Sequence, residues 1–240
     1  MTATGSTEVF GTENAPPPWV LVPWPGAMVA VAAVGIMVVA SIAAWPEMAV
    51  EVVTREAGGR HGESVANRGV TAAAMPAVLL GLTVLLSVVL RADHELLKRT
   101  PVGLDRSPER ARRMFSWTLM GLSVVLVALH LGLLSLHTGT AFPLEQAVAA
   151  AVGILLACLG VATPLVAPGG RVTGRLERFR AAQSKLYRGA GGFLVIAGIA
   201  TAVVAAFEPG VAMMVAVASV AVAFLAVALT AFRASRKSPE

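Results

Sequence analysis

Residues 190–232 read AGGFLVIAGIATAVVAAFEPGVAMMVAVASVAVAFLAVALTAF, with Glu208 as the single charged side chain. Two apolar runs, 190–207 and 211–232, flank the tripeptide Glu208-Pro209-Gly210. Each run is close to the roughly 20 residues a helix needs to cross a hydrocarbon core about 30 Å thick. Neither shows the period of two that a barrel strand requires, and backbone polar groups in lipid need internal partners, so both read as helices. A three-residue connection leaves room only for an antiparallel helical hairpin, its break supplied by Pro209 and Gly210.

Outward from this hairpin the pattern recurs. Apolar blocks at 27–45, 70–90, 115–136 and 146–167 predict four more spans. The composition agrees, with 56% hydrophobic and 14% charged residues and a mean hydropathy of +0.75, outside the range of soluble globular chains. The expected fold class is all-α: a polytopic membrane protein of six transmembrane helices. A secretory signal is the rival reading of the first block, but residues 1–26 hold no Lys or Arg to form its basic leader. The expected organisation is a polar, Pro-rich tail (1–26), a three-helix module (27–136) with a loop at 46–69, a second three-helix module (137–232) with a basic loop at 168–189, and a basic tail (233–240).

Charge distribution predicts the orientation. Of the 19 Lys and Arg residues, Arg55, Arg60 and Arg68 fall in loop 46–69, and the other sixteen fall in 91–113, in 168–189 and in the tail. The positive-inside rule therefore places both termini in the cytoplasm and loop 46–69 outside. The net charge of +5 is accounted for by this topology, and no nucleic-acid partner is expected. Trp24, Trp45 and Trp117 mark span edges, where amphipathic rings favour the headgroup layer.

Three polar segments are candidates for recognition. The outer loop, PEMAVEVVTREAGGRHGESVANRG (46–69), carries Glu47, Glu51, Arg55, Arg60 and His61 and is expected to be a short ordered element followed by a turn at Gly58-Gly59. On the inner side, Ser107-Pro108-Glu109-Arg110 has the chemistry of a helix start leading into the third span, which sets Arg110, Arg112 and Arg113 at the phosphate level. The segment RLERFRAAQSKLYR (175–188) places Leu176, Phe179, Leu186 and Tyr187 on one helical face. It is expected to lie along the inner leaflet, with Arg175, Arg178, Arg180 and Lys185 contacting lipid or a partner.

Within the spans, His130 is the one deeply placed ionisable residue, in VALHLGLLSLH (127–137). It reads either as a functional group or as a hydrogen-bonding partner for a neighbouring helix. His137 lies seven residues on, about 10 Å along the same face, too far for both to ligate one ion. The chain has no HExxH, HxxxH or CxxC pattern and one cysteine, Cys158, so no metal site, cofactor or disulfide is expected. Glu145 and Glu208 border spans at solvated positions. The Gly-rich stretch 168–175 lacks a phosphate-loop pattern. Ser41, Ser87, Ser116, Ser123 and Ser219 have no base at a telling spacing, so no enzyme activity is expected. Gly153, Ala157 and Gly160, with Gly191 and Gly198, are expected to let helices approach closely.

Trp45-Pro46 at the end of the first span, the turn glycines Gly58-Gly59 and Pro76 early in the second span resemble the amino-terminal module of the SdpI-type immunity proteins. Gly160, Pro164, Gly174-Arg175 and the glycines of 189–192 resemble the same family's carboxy-terminal module, and together the resemblance covers roughly residues 27–207. Thr54 stands near the position of the family's outer-loop histidine. The resemblance implies a six-span bacterial inner-membrane protein with an immunity or signalling role. It would bind a secreted peptide toxin or other envelope ligand through the outer loop and bundle, His130 included, and act on a cytoplasmic regulator. The alternatives are a small transporter or permease component using His130, and an accessory subunit of a membrane complex.

Overall fold

A computed structural model describes residues 22–55, 64–99, 108–166 and 175–236. The chain is a polytopic all-α membrane protein, with six helices among the described residues long and apolar enough to cross a membrane. They are α1 (Trp24–Ala44), α2 (Arg68–Arg99), α3 (Pro108–Thr138), α4 (Leu144–Ala162), α5 (Arg175–Ala205) and α6 (Pro209–Arg236). A 3₁₀ turn, Thr163–Val166, follows α4. Between α1 and α2 the chain forms two short antiparallel strands, β1 (Glu51–Arg55) and β2 (Ser64–Asn67).

Helices α2, α3, α5 and α6 are longer than their apolar blocks. Hydropathy falls where a helix leaves lipid, but the i to i−4 hydrogen bonds do not stop there. Thus α2 continues to Arg99, and α3 opens at Pro108 with Glu109 in its first turn, as the Ser-Pro-Glu-Arg signal predicts. At 175–188 the expectation of a separate helix along the leaflet is corrected. That segment is the first part of α5 and runs unbroken into the fifth span, because nothing between Arg188 and Gly192 interrupts the backbone ladder.

Helix α3 sits at the centre, packing against α1, α2 and α4, while α5 and α6 join the bundle through α4. Buried positions on α1 are Gly26, Ala30, Ala33, Met37 and Ser41, one helical stripe at three- and four-residue spacing. It meets Leu79 of α2 and Leu119 of α3 in one apolar cluster. Helices α3 and α4 are joined through Gly139, whose φ of +67° is the left-handed conformation that ends helices cheaply only at glycine.

The tightest contact lies between antiparallel α4 and α5, at the glycines the sequence marks. A Cβ on Gly198 would stand 2.5 Å from Ala157 N and Gly153 O; one on Gly160 would stand 2.6 Å from Val195 N. Helices have little hydrophobic drive to associate in lipid, so close backbone approach through small residues is what holds this pair. Between α5 and α6, Glu208 N–H donates to Val204 O (2.8 Å) and Ala212 N–H donates to Glu208 O (3.0 Å). The turn thus hands the helical ladder on almost without a gap.

Most hydroxyls in the spans are satisfied locally. Thr83, Ser87, Ser123, Thr163 and Ser219 each donate to the carbonyl four residues back, which removes the cost of an unpaired hydroxyl in lipid. The outward faces of the helices are apolar, with Ile196 71% and Phe224 76% exposed. Such surface is the expected lining of a lipid-facing bundle.

Candidate functional site

The ends of α1 and α3, the start of α2 and the two strands meet at one end of the bundle, where α3 supplies two histidines in register. His130 is fully buried and its Nε2 lies 3.0 Å from Met37 O and 2.9 Å from Ser41 Oγ. A carbonyl can only accept, so Nε2 carries the proton and donates it to Met37 O, sharing it with Ser41. The other ring nitrogen, Nδ1, is buried with no partner among the described residues. Sequence reading finds no base near Ser41; the structure corrects this by bringing Ser41 and His130 together from 89 residues apart. The pair is still not a nucleophile and base, because the nitrogen facing Ser41 already holds its proton.

His137, two turns further along the same face, closes the end of the bundle. Its Nδ1–H donates to Ala49 O (3.1 Å), and its Nε2 accepts from Thr71 Oγ1–H (2.9 Å). The backbone returns the contact, with Ala49 N–H donating to His137 O at 3.0 Å. One side chain therefore joins the end of α3 to the segment entering β1 and to the first turn of α2, with both ring nitrogens satisfied.

Above this clamp stands the β-hairpin. Glu51 pairs with Asn67, Val52 with Ala66, Val53 with Val65 and Arg55 with Ser64, with an irregularity between Val53 and Arg55. Paired residues share a face, so Glu51, Val53, Val65 and Asn67 form one surface, and all four are exposed. The base of the hairpin is closed by Arg68 N–H donating to Val50 O (3.0 Å), by Asn67 Oδ1 accepting from Gly69 N–H (2.9 Å), and by the Arg68 guanidinium stacked 4.7 Å over the Trp45 ring. Cation–π contacts of this kind contribute on the order of 0.5–1 kcal/mol at exposed sites. Met48, in the connecting segment, turns inward and is buried.

Below the hairpin, α1 and α2 leave a groove of about 460 Å³ lined by Val38, Ser41, Ile42, Trp45, Pro46, Ala72 and Ala73. Ser41, whose Oγ touches His130, is its one side chain with a hydroxyl.

The residues expected to form a site are distributed as follows. Glu47 and Glu51 are exposed at the hairpin and its approach, and Arg55 ends β1. Arg60 and His61 lie outside the described residues. His130 does not join them; it is held inside the bundle between α1 and α3. Near the basic end, Arg110 and Arg113 are exposed and Arg112 is half-buried on the first turns of α3, where Arg113 Nη2 is 2.6 Å from Glu109 Oε1. Arg175, Arg178, Arg180 and Lys185 all belong to α5, and Lys185 is exposed. Glu145 and Glu208 are exposed, as expected. Among the described residues, no three His, Cys, Asp or Glu side chains converge on a point that could hold a metal ion. The residue to which sequence reading gives no role is His137. Its position two turns from His130 puts it on the same face of α3, but its partners Ala49 and Thr71 are remote in sequence.

No protein family, no characterised protein and no solved structure matches the chain. The class is therefore defined by the fold itself: a six-helix membrane protein with a small β-hairpin clamped to one end.

Proposed function

We propose that this protein sits in the cell membrane with the hairpin end outside and both termini in the cytoplasm, and that it binds an envelope ligand through the hairpin. Following its resemblance to the SdpI-type immunity proteins, the ligand is a secreted peptide toxin, and the basic segments of α3 and α5 face a cytoplasmic regulator. The observation that carries this reading is the clamp. An exposed two-stranded hairpin is marginally stable by itself, yet this one is joined to two helices through His137 and closed by Arg68 on Trp45. A surface held in that way is pre-organised, which lowers the entropic cost of binding. Its exposed Val53 and Val65, flanked by Glu51 and Asn67, offer apolar contact with a polar margin.

Binding is favoured over catalysis, since among the described residues of the hairpin no side chain is placed as a nucleophile beside a free base. It is also favoured over transport through His130, whose one N–H is committed to Met37 O and Ser41. The test is a deletion of the gene, followed by exposure to the secreted peptide antimicrobials of the producing strain and its relatives. Deletion is expected to sensitise the cells, and the intact gene, but not one carrying Glu51→Lys with Val53→Asp, is expected to restore protection. Unchanged sensitivity on deletion overturns the toxin reading.

A further inference from the structure

Among the described residues, the groove between α1 and α2 combines two features that two other clefts of the bundle do not. The cleft between α4 and α6, about 480 Å³ and lined by residues such as Leu156, Val217 and Phe224, is wholly apolar. The cleft of about 350 Å³ along α4 and α5, at Gly153 and Gly198, is lined by no cation. The α1–α2 groove has an apolar wall of Val38, Ile42 and Ala73, and a guanidinium lies against the outer side of one of its lining residues. Arg68 stacks on Trp45, which is itself a wall of the groove. It also stands one helical turn from Ala72, another lining residue, and residues four apart share a helix face. Among the described residues, Arg68 has no carboxylate within ion-pairing distance.

An apolar slot with a cation held against its Trp45 wall matches one kind of molecule. We propose that the groove is a binding site for an anionic phospholipid of the hairpin-side leaflet, its phosphate on Arg68 and one acyl chain along Val38, Ile42 and Ala73. Stacking on Trp45 fixes the plane of the guanidinium, which favours two-point hydrogen bonding to phosphate oxygens over the diffuse attraction of a mobile lysine. Trp45 and Pro46 close the rim at the depth where indole rings settle. The lipid then lies against the base of the hairpin and adds to its attachment.

The test reconstitutes the full chain in phosphatidylcholine vesicles doped with phosphatidylglycerol or phosphatidylcholine carrying bromine on the acyl chains. Quenching of Trp45 is read as the difference between the protein and its Trp45→Phe variant. Brominated phosphatidylglycerol is expected to reach half-quenching at about one-fifth of the level needed with brominated phosphatidylcholine, the ratio one basic side chain near a membrane surface provides. Arg68→Gln should bring that ratio to about one. Ala73→Phe, which leaves Arg68 and the hairpin in place, should remove the preference by filling the slot. Added inorganic phosphate should leave the ratio unchanged. Equal quenching by the two lipids, a preference that survives both variants, or one abolished by inorganic phosphate overturns the proposal.

Discussion

His137→Ala tests how the hairpin is held. The substitution removes the Nδ1–H bond to Ala49 O and the bond from Thr71 Oγ1–H to Nε2. Each bond contributes about 0.5–1.5 kcal/mol net. The partners left behind limit further cost. Ala49 is exposed, so water can reach its carbonyl, and the buried Thr71 hydroxyl can turn back to the carbonyl of Asn67 four residues earlier. Loss of the ring from a position 5% exposed adds a packing term, and the total comes to about 2–3 kcal/mol. The backbone bond from Ala49 N–H to His137 O is retained, so the bundle stays folded and the loss falls on the hairpin. At about 1.4 kcal/mol per tenfold, amide exchange through local opening should rise by roughly 30- to 150-fold. The assay is hydrogen–deuterium exchange with mass spectrometry on the full chain in lipid nanodiscs, following peptides that contain 49–55 and 64–68. Ser135→Ala is the control, because Ser135 donates within its own helix to Gly132 O and should leave the hairpin unchanged. If His137→Ala accelerates the hairpin no more than Ser135→Ala does, the clamp is not what fixes it.

Two further outcomes follow from the packing. Gly198→Ala and Gly192→Ala make the same chemical change in α5 and gain the same helix propensity. A Cβ at Gly192 meets nothing within 4 Å, whereas one at Gly198 lies 2.5 Å from backbone atoms of α4. Gly198→Ala should therefore be less stable than Gly192→Ala by about 1–3 kcal/mol in detergent unfolding; equal stability would mean that α4 and α5 do not meet there. His130→Leu should cost no more than about 1 kcal/mol, since Met37 O keeps its helical donor, the Ser41 hydroxyl that loses its partner can turn to the Met37 carbonyl four residues back, and the unpartnered Nδ1 is removed with the ring. Loss of a proton or solute flux in liposomes carrying His130→Leu would instead restore the transport reading.

The six helices are legible in the sequence because lipid imposes a length and a composition on each span, as the 190–232 hairpin illustrates. The helix ends are less so: Arg175 to Arg188 looks like a separate surface helix because its polarity changes, although its backbone does not. The hairpin carries a local signal in Glu51-Val-Val-Thr-Arg55, a β-branched run beside turn residues, which the loop's charges obscure. The close glycine contacts are readable from spacing along each helix. The histidine bonds are not, because His130 to Ser41 and His137 to Thr71 join residues 89 and 66 positions apart. Their register depends on how α3 packs against α1 and α2, which no single segment encodes.

The central claim, that the clamped hairpin faces outside and the basic ends face the cytoplasm, is tested most directly by cysteine labelling in intact cells. In a Cys158→Ser background, a membrane-impermeant maleimide should label Glu47→Cys without permeabilisation and Ser235→Cys only after it. Labelling of Ser235→Cys in intact cells, with Glu47→Cys protected until the membrane is opened, would contradict the orientation and with it the proposed function.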